Sequence, residues 1–517
     1  MGTIERRNQA EVEELKKNLK RYASLRMWRP ALSAFEKARA DGLPLNSSTY
    51  TTMIHVMAKG ARWKEALELL DEMIAGGPNR GGSGPRIAPS VVSYNAAITA
   101  CARGNKMPAA LRVLGEMYQA PGIKPDLYSY GAVLSGLAKA RNPGRAMGIL
   151  EEMREAGLEP DLVCLVSAME ACESKGASKE AALVLEMVRE LEPPPPMRTM
   201  TNILTSAIAA CVTEGAWEQA TDWLTDVRMA NGGRLPPASA YAAAANACAR
   251  AGQGMRAKAL ITELESGVKK GDGERPTMDC YNAVVLGLVM SGDLKGATKT
   301  LKEDIPKAGL KPDTQGFVHL MRGYARLQDW ETVMGLLDEQ RSGKFPSAPP
   351  NLNSYNAAID ACGRAGKVRP AIDLLNDMRA GSRSNPRLKP NHYTYGGALN
   401  ACCNARDGAS ALDLLTRMKR EGIKVDQRCS MAAFTAVSSA GREDDAAQIL
   451  EDMLRNKVST SEGALVAARE ALVEKIESGV GGRKFARAMS ALVELEKIQA
   501  EKAAAKAARE ATRASAQ

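Results

Sequence analysis

The chain has 517 residues, of which 45% are hydrophobic and 25% are charged, an ordinary composition for a globular protein. Aromatic residues make up only 4%, while Ala, Leu and Met are abundant, which favours close-packed helices over β-sheet. The 70 Lys and Arg residues exceed the 60 Asp and Glu residues, and the net charge of +10 is compatible with a polyanionic partner but is weak evidence in so long a chain. No apolar run is long enough to cross a bilayer, so membrane insertion is not expected.

Residues 1–11 form an N-terminal segment that mixes acidic and basic residues, and no targeting peptide is visible there. From residue 12 the chain repeats itself, with a column of small residues spaced 35 to 44 residues apart. The column consists of Ala31, Ala66, Ala110, Ala146, Ala181, Ala220, Ala257, Ala297, Val333, Ala371, Ala411 and Ala446. This period predicts an α-solenoid, in which each helical unit buries its apolar face by stacking on its neighbours.

Twelve units, called repeats 1 to 12 below, tile residues 12–461, and positions are numbered so that the column of small residues is position 20. The repeats begin at Val12, Ser47, Val91, Leu127, Leu162, Thr201, Ala238, Met278, Thr314, Leu352, His392 and Gln427. Apolar residues at helical spacing predict a first and a second helix in each repeat, separated by a turn. Additional length is expected to enter only after the second helix.

Three further columns predict the core. Position 4 is Tyr in seven repeats, position 27 is Met in six, and position 11 is Cys in six. We interpret these cysteines as small buried hydrophobic residues. The chain has no C-x-x-C motif and only three histidines, so neither a zinc site nor a cofactor is expected.

Residues 462–517 depart from the repeat pattern. Two further helices are predicted, over 463–478 and 484–511, and they are rich in Ala, Lys, Arg and Glu. We expect this region to form a helical cap on the last repeat, followed by an exposed tail, because a solenoid needs a polar terminal unit.

The repeats resemble the pentatricopeptide repeat, as the strings SYNAAITACARG, CYNAVVLGLVMSG and SYNAAIDACGRAG in first helices and AGLEPD, AGLKPD and GIKPD at repeat ends show. The competing tetratricopeptide pattern, W-x-x-L-G-x-x-Y, is not found in any repeat. The resemblance implies an all-α fold, a right-handed superhelical solenoid of about twelve helix-turn-helix repeats. It also implies binding of single-stranded RNA in a chloroplast or mitochondrion, with about one nucleotide read by positions 5 and 35 of each repeat.

Position 5 lies beside the core stripe of the first helix, so its side chain is expected to face a groove. Four pairs are candidates for base reading, each made of position 5 and the last residue of the repeat, which corresponds to position 35 of the family pattern and is called position 35 below. They are Asn95 with Asp126, Asn282 with Asp313, Asn356 with Asn391, and Thr51 with Ser90. By resemblance, the first two pairs should prefer uracil, the third a pyrimidine, and the fourth a purine. The alternative is ordinary helix capping, which also uses these residue types. Repeat 6 carries Thr205 at position 5 and ends at Pro237. The other seven repeats are expected to add affinity alone, and their position 5 residues are Lys16, Gly131, Val166, Ala242, Val318, Gly396 and Met431.

Position 13 is a cation in six repeats. These residues are Lys59, Arg103, Lys139, Arg250, Arg326 and Arg364. A column of cations at one height in the groove predicts contacts with an RNA phosphate backbone. The alternative is that cations are simply favoured near the C-terminal end of a helix.

These patterns bear on three classes of function. The favoured one is a sequence-selective RNA-binding protein that acts by occupancy in RNA processing, stabilisation or translation, or by recruiting an effector protein. The second is a helical scaffold for protein or peptide partners. An enzyme is not expected, because no H-x-E with P-C-x-x-C motif occurs and the C-terminal region is too short for a nuclease domain.

Overall fold

The computed structural model describes residues 2–75, 87–383 and 385–456, with 469, 490, 492–501, 504 and 508 beyond them. Within these residues the chain forms α-helices, numbered α1 to α25 in chain order, and no β-strand. The first helices of the twelve repeats are α1 (Gly2–Ser24), α3 (Ser47–Lys59), α5 (Val91–Arg103), α7 (Leu127–Lys139), α9 (Leu162–Lys175), α11 (Met197–Glu214), α13 (Ala238–Arg250), α15 (Met278–Met290), α18 (Thr314–Arg326), α20 (Leu352–Arg364), α22 (His392–Ala405) and α24 (Gln427–Ser439).

The second helices are α2 (Trp28–Ala40), α4 (Trp63–Ala75), α6 (Met107–Gln119), α8 (Pro143–Glu155), α10 (Ser178–Arg189), α12 (Trp217–Ala230), α14 (Gly254–Lys269), α16 (Leu294–Lys299) with α17 (Ile305–Lys307), α19 (Trp330–Arg341), α21 (Val368–Gly381), α23 (Gly408–Arg420) and α25 (Glu443–Arg455). A short 3₁₀ turn, Pro386–Leu388, follows α21. None of the helices in the described residues is both long and apolar enough to span a membrane.

The helices belong to two compact units. Residues up to Ala251, together with Arg256–Pro276, form the first unit, which holds repeats 1 to 7 apart from the start of α14. Repeats 8 to 12 lie in the second unit. Within each unit, first helices of consecutive repeats pack side by side, as α3, α5 and α7 do. Second helices pack between their own first helix and the next one, as α6 does between α5 and α7. This is the stacking that the period predicts.

The core follows the predicted columns. Every residue at position 20 is at most 2% exposed, and the Tyr, Met and Cys columns at positions 4, 27 and 11 are buried throughout. The interpretation of these columns as core is therefore confirmed. Ion pairs also join second helices of consecutive repeats, each from a cation at position 28 to an acid at position 26 of the next repeat. The pairs are Arg39–Glu72, Arg189–Asp226, Arg228–Glu263, Arg341–Asp377 and Lys419–Asp452.

Ten first helices begin at the first residue of a repeat, and two begin earlier. Helix α1 begins at Gly2, so residues 2–11 are continuous with the first helix of repeat 1. This stretch lacks helix breakers after Gly2, and Arg7 and Glu11 form an ion pair across one turn. Helix α11 begins at Met197 rather than Thr201, since Pro196 is its N-cap and nothing after the prolines interrupts a helix.

The expectation that additional length always follows the second helix is wrong for repeat 8. A π-helical turn over Thr300–Asp304 takes up one extra residue between α16 and α17. As a result Ile305, at position 28, is fully buried in place of the usual residue at position 27.

Much of the predicted C-terminal cap lies outside the described residues, as does the glycine-rich insert at 76–85. Residues 492–501 are helical, as predicted for the second of the two terminal helices. Leu492 and Leu495 of this segment are buried, and Glu496 forms an ion pair with Arg469. Apolar burial in this segment is consistent with the expected cap.

Candidate nucleic-acid interface

A groove of about 1540 Å³ runs along the first helices of repeats 1 to 5, in the first unit. Most of its lining comes from positions 2, 5, 9 and 13 of these helices and from the residue that ends each repeat. Six of the predicted site residues line it: Thr51, Ser90, Asn95, Asp126, Lys59 and Arg103. The expectation that position 5 faces a groove beside the core stripe therefore holds in repeats 2 and 3.

Asn95 and Asp126 are directly hydrogen-bonded. Asn95 Nδ2 donates to Asp126 Oδ1 at 2.9 Å, and the hydroxyl of Ser129 donates to Asn95 Oδ1 at 2.6 Å. Asp126 also caps α7, because its carboxylate accepts the backbone N–H of Ser129 at 2.9 Å. Partial burial would raise the pKa of Asp126, but the hydrogen bonds from Ser129 and Asn95 outweigh it and hold that pKa below its usual value. The pair is thus an ionised acceptor that orients an amide.

Asn282 and Asp313 form the same bond, but the amide lies deeper. Asn282 Nδ2 donates to Asp313 Oδ2 at 2.9 Å, and Asn282 is only 4% exposed. Position 3 of the next repeat is Gly316, so no hydroxyl stands where Ser129 does in the first pair. Among the described residues, nothing donates a hydrogen bond to Asn282 Oδ1.

Asn356 and Asn391 are joined through a third residue. The hydroxyl of Thr394 lies 2.7 Å from Asn356 Oδ1 and 3.1 Å from Asn391 Oδ1. Asn391 caps α22 by accepting the backbone N–H of Thr394 at 3.1 Å. The two amides are therefore placed together without a direct bond between them in the described structure.

Thr51 and Ser90 are linked in a similar way, through Ser93. The hydroxyls of Thr51 and Ser93 are 2.7 Å apart, and those of Ser93 and Ser90 are 3.1 Å apart. Ser90 caps α5. Thr51 also donates to the backbone oxygen of Ser47 at 2.7 Å, so its proton is committed within its own helix.

The hydroxyl at position 3 of the following repeat was not among the predicted site residues. Ser93, Ser129 and Thr394 are fully buried, and each links position 5 of one repeat to the residue at its end. A sequence signal was available, because an N-cap residue followed three positions later by Ser or Thr is a capping-box pattern. Capping and placement of the position 5 side chain are thus performed by the same residues and are not alternatives.

Five of the six position 13 cations are free of ion pairs within the part of the chain that the structure describes. Arg103, Lys139, Arg250 and Arg326 are exposed, and Lys59 is partly exposed. Arg364 differs, since its Nε lies 2.8 Å from the carboxylate of Asp360. At the centre of the groove, burial, Lys59 and Arg103 lower the pKa of His55 below its usual value, so its imidazole is neutral at pH 7.

Large apolar side chains at position 2 were also missed. Val92, Tyr128, Val163 and Tyr393 are 60% to 81% exposed at the start of their first helices. The first three line the groove described above. Their sequence signal is an apolar residue directly after a helix start, outside the core stripe.

The cysteines show no sign of chemical activity. Burial raises the pKa of Cys101 to about 11 and that of Cys172 to about 12, so both are protonated thiols at neutral pH. In the described residues, no three His, Cys, Asp or Glu side chains come close enough together to hold a metal ion.

Comparison with known proteins gives three matching family models. The pentacotripeptide-repeat region of PRORP matches residues 4–203, the PPR repeat family matches 350–404, and the pentatricopeptide repeat domain matches 300–365 and 383–426. No curated protein matches the chain in sequence.

Solved structures of similar fold are pentatricopeptide repeat proteins and a yeast protein. PPR10 from maize is 20% identical over 95% of this chain and 80% of its own, with a TM-score of 0.39. Its complex with an 18-nt psaJ RNA element is 18% identical over 94% of this chain and 85% of its own, with a TM-score of 0.41. Yeast Rmd9p with a 16-nt target RNA is 11% identical over 88% of this chain and 98% of its own, with a TM-score of 0.36. On the matched family models and the helical repeats in register, this chain belongs to the pentatricopeptide repeat family.

Proposed function

We propose that this protein binds single-stranded RNA in a sequence-selective manner and has no catalytic centre of its own. The observation that carries the proposal is the linkage of positions 5 and 35 in repeats 2, 3, 8 and 10, each beside the next first helix. Bound RNA would be protected or remodelled by occupancy, or would bring an effector protein to the transcript. By resemblance to the family, we propose that this activity belongs to a chloroplast or mitochondrion.

The Asn95 pair has the chemistry that base reading requires. Asp126 accepts one amide proton of Asn95, which leaves a second N–H and an oxygen lone pair for a ligand. An amide with one donor and one acceptor can bond the O4 and N3–H groups of uracil. The carboxylate fixes the orientation of the amide, so the donor and the acceptor are not interchangeable.

The exposed apolar residues at position 2 provide surfaces against which unstacked bases can pack. Val92, Tyr128 and Val163 belong to three consecutive repeats of the first unit. Stacking on an aromatic side chain such as Tyr128 contributes about 1–3 kcal/mol per base and is tolerant of sequence. Affinity would therefore come from position 2 and the cations, and selectivity from positions 5 and 35.

A selection of bound sequences from a random single-stranded RNA pool, with the full chain at moderate salt, tests the proposal. We expect a purine followed by uracil from repeats 2 and 3, and uracil, any nucleotide and pyrimidine from repeats 8 to 10. The double variant Asn95→Thr with Asp126→Asn should move the preference of repeat 3 from uracil toward adenine, and asparagine still caps α7.

Two results would count against the proposal. An unchanged motif in the double variant would remove positions 5 and 35 as the reading positions. Weak binding with no enriched sequence would instead favour a scaffold for protein partners.

A further inference from the structure

Repeat 11 has glycine at position 5, and the side chain of an arginine from the next repeat lies beside this glycine. A Cβ atom built on Gly396 would lie 3.8 Å from Nε and 3.9 Å from Cδ of Arg428. Arg428 is at position 2 of repeat 12, and its side chain is 49% exposed. The stem of Arg428 thus passes beside Gly396, where repeat 3 carries the reading amide.

Repeat 4 shows what the same position looks like without the arginine. It also has Gly at position 5, and the residues that follow match, with Asp161 and Cys164 in place of Asp426 and Cys429. In both repeats the Asp accepts the backbone N–H of the Cys at 2.9 Å. A Cβ on Gly131, however, would meet only the sulfur of Cys164 within 4 Å. The difference lies at position 2 of the following repeat, which is Val163 rather than arginine.

The guanidinium of Arg428 is held only loosely in this structure. Its Nη2 lies 3.5 Å from Asp360 Oδ1, on repeat 10, whereas Arg364 Nε contacts the other oxygen of Asp360 at 2.8 Å. The contact of Arg428 is at the outer limit for a hydrogen bond. Since Arg364 keeps Asp360 paired, Arg428 can leave this contact without exposing an uncompensated carboxylate.

We propose that Arg428 is the base-reading side chain of repeat 11 and that it selects guanine. This inference rests on the proposed function. A guanidinium offers two parallel donors, and guanine presents two adjacent acceptors, O6 and N7, that match them. Asp426, which ends repeat 11, supplies an acceptor for the donor groups of the same base. Arg428 lies beside position 5, whereas the unpaired cations are at position 13. This location favours a contact with a base over a contact with a phosphate.

The test uses the full chain and four RNAs that carry the selected motif and differ only in the nucleotide directly after the pyrimidine read by repeat 10. We expect the guanine RNA to bind the unmodified protein about tenfold more tightly than the other three, a typical discrimination for a bidentate arginine–guanine contact. Arg428→Lys keeps the charge but loses the rigid pair of parallel donors, so it should weaken the preference while retaining most of the affinity.

Repeat 4 provides the matched control. Val163→Arg should give repeat 4 a guanine preference at the nucleotide directly after the uracil read by repeat 3, and Arg428→Val should make repeat 11 indifferent. Equal binding of the four RNAs by the unmodified protein would overturn the inference. So would a guanine preference that survives Arg428→Val. Failure of the proposed function is distinguishable from both results, because then the selection from the random pool would enrich no motif on which the four RNAs could be built.

Discussion

At the scale of single residues, the buried amide of Asn282 is the clearest local defect of the site. Its oxygen has no hydrogen-bond donor among the described residues, and a buried acceptor left in this state costs about 1–3 kcal/mol. Gly316→Ser would place a hydroxyl where Ser129 and Thr394 stand in repeats 4 and 11. We expect this change to raise the free energy of unfolding by about 1 kcal/mol relative to Gly316→Ala.

Gly316→Ala is the necessary reference, because any Cβ at this position meets Leu301 Cδ1 at 2.7 Å. Both variants force the same rotation of Leu301, and only serine adds a donor. Thermal unfolding of the two variants followed by circular dichroism measures the difference. Equal midpoints would show that no hydrogen bond to Asn282 is gained.

At the scale of helices, tryptophans at position 17 fix the spacing of neighbouring repeats. Trp63, at the start of α4, packs on Gly104 at the end of α5, and Trp28 packs on Gly60 in the same way. Lys106 lies 5.6 Å from the centre of the Trp63 ring, and Arg62 lies 4.4 Å from that of Trp28. Glycine lets the indole approach the helix end, and the cation covers its outer face.

Gly104→Ala and Gly115→Ala should therefore have opposite effects on stability. A Cβ at Gly104 would lie 2.7 Å from Trp63 Cδ1, and displacing a packed indole costs about 1–3 kcal/mol. A Cβ at Gly115, on the exposed face of α6 in the same repeat, meets nothing within 4 Å and should stabilise the helix by about 0.5–1 kcal/mol. Chemical denaturation of both variants checks the signs, and two stabilising substitutions would contradict the proposed packing of Trp63.

Helices were predictable from the sequence where several residues of the repeat pattern mark their boundaries. Columns of Ala, Tyr and Met recur in most repeats, so the two-helix pattern and ten helix starts follow from the sequence. The π-helical turn could not be predicted, because repeats 3 and 8 are both 36 residues long and only the burial of Ile305 shows where the extra residue lies.

The contacts of the candidate site could also be predicted only in part. Pairing of positions 5 and 35 follows from the period, whereas the contacts of Ser129 with Asn95 and of Arg428 with Asp360 join residues 34 and 68 positions apart and require packed repeats.

At the scale of the whole molecule, the net charge of +10 is less informative than the position of the unpaired cations. Five position 13 cations lack ion pairs in the described structure, and each that contacts a phosphate of single-stranded RNA releases about 0.7 of a counterion. The logarithm of the association constant should therefore fall with the logarithm of salt concentration at a slope of roughly −3.5.

Lys139→Gln, which removes one exposed cation of the column, should make this slope shallower by about 0.7. Lys179→Gln removes an equal charge from the exposed face of α10, outside the column, and should leave the slope unchanged. Titrations of a selected RNA at several salt concentrations separate the two variants. Equal slopes would mean that overall charge, not the column at position 13, attracts the RNA.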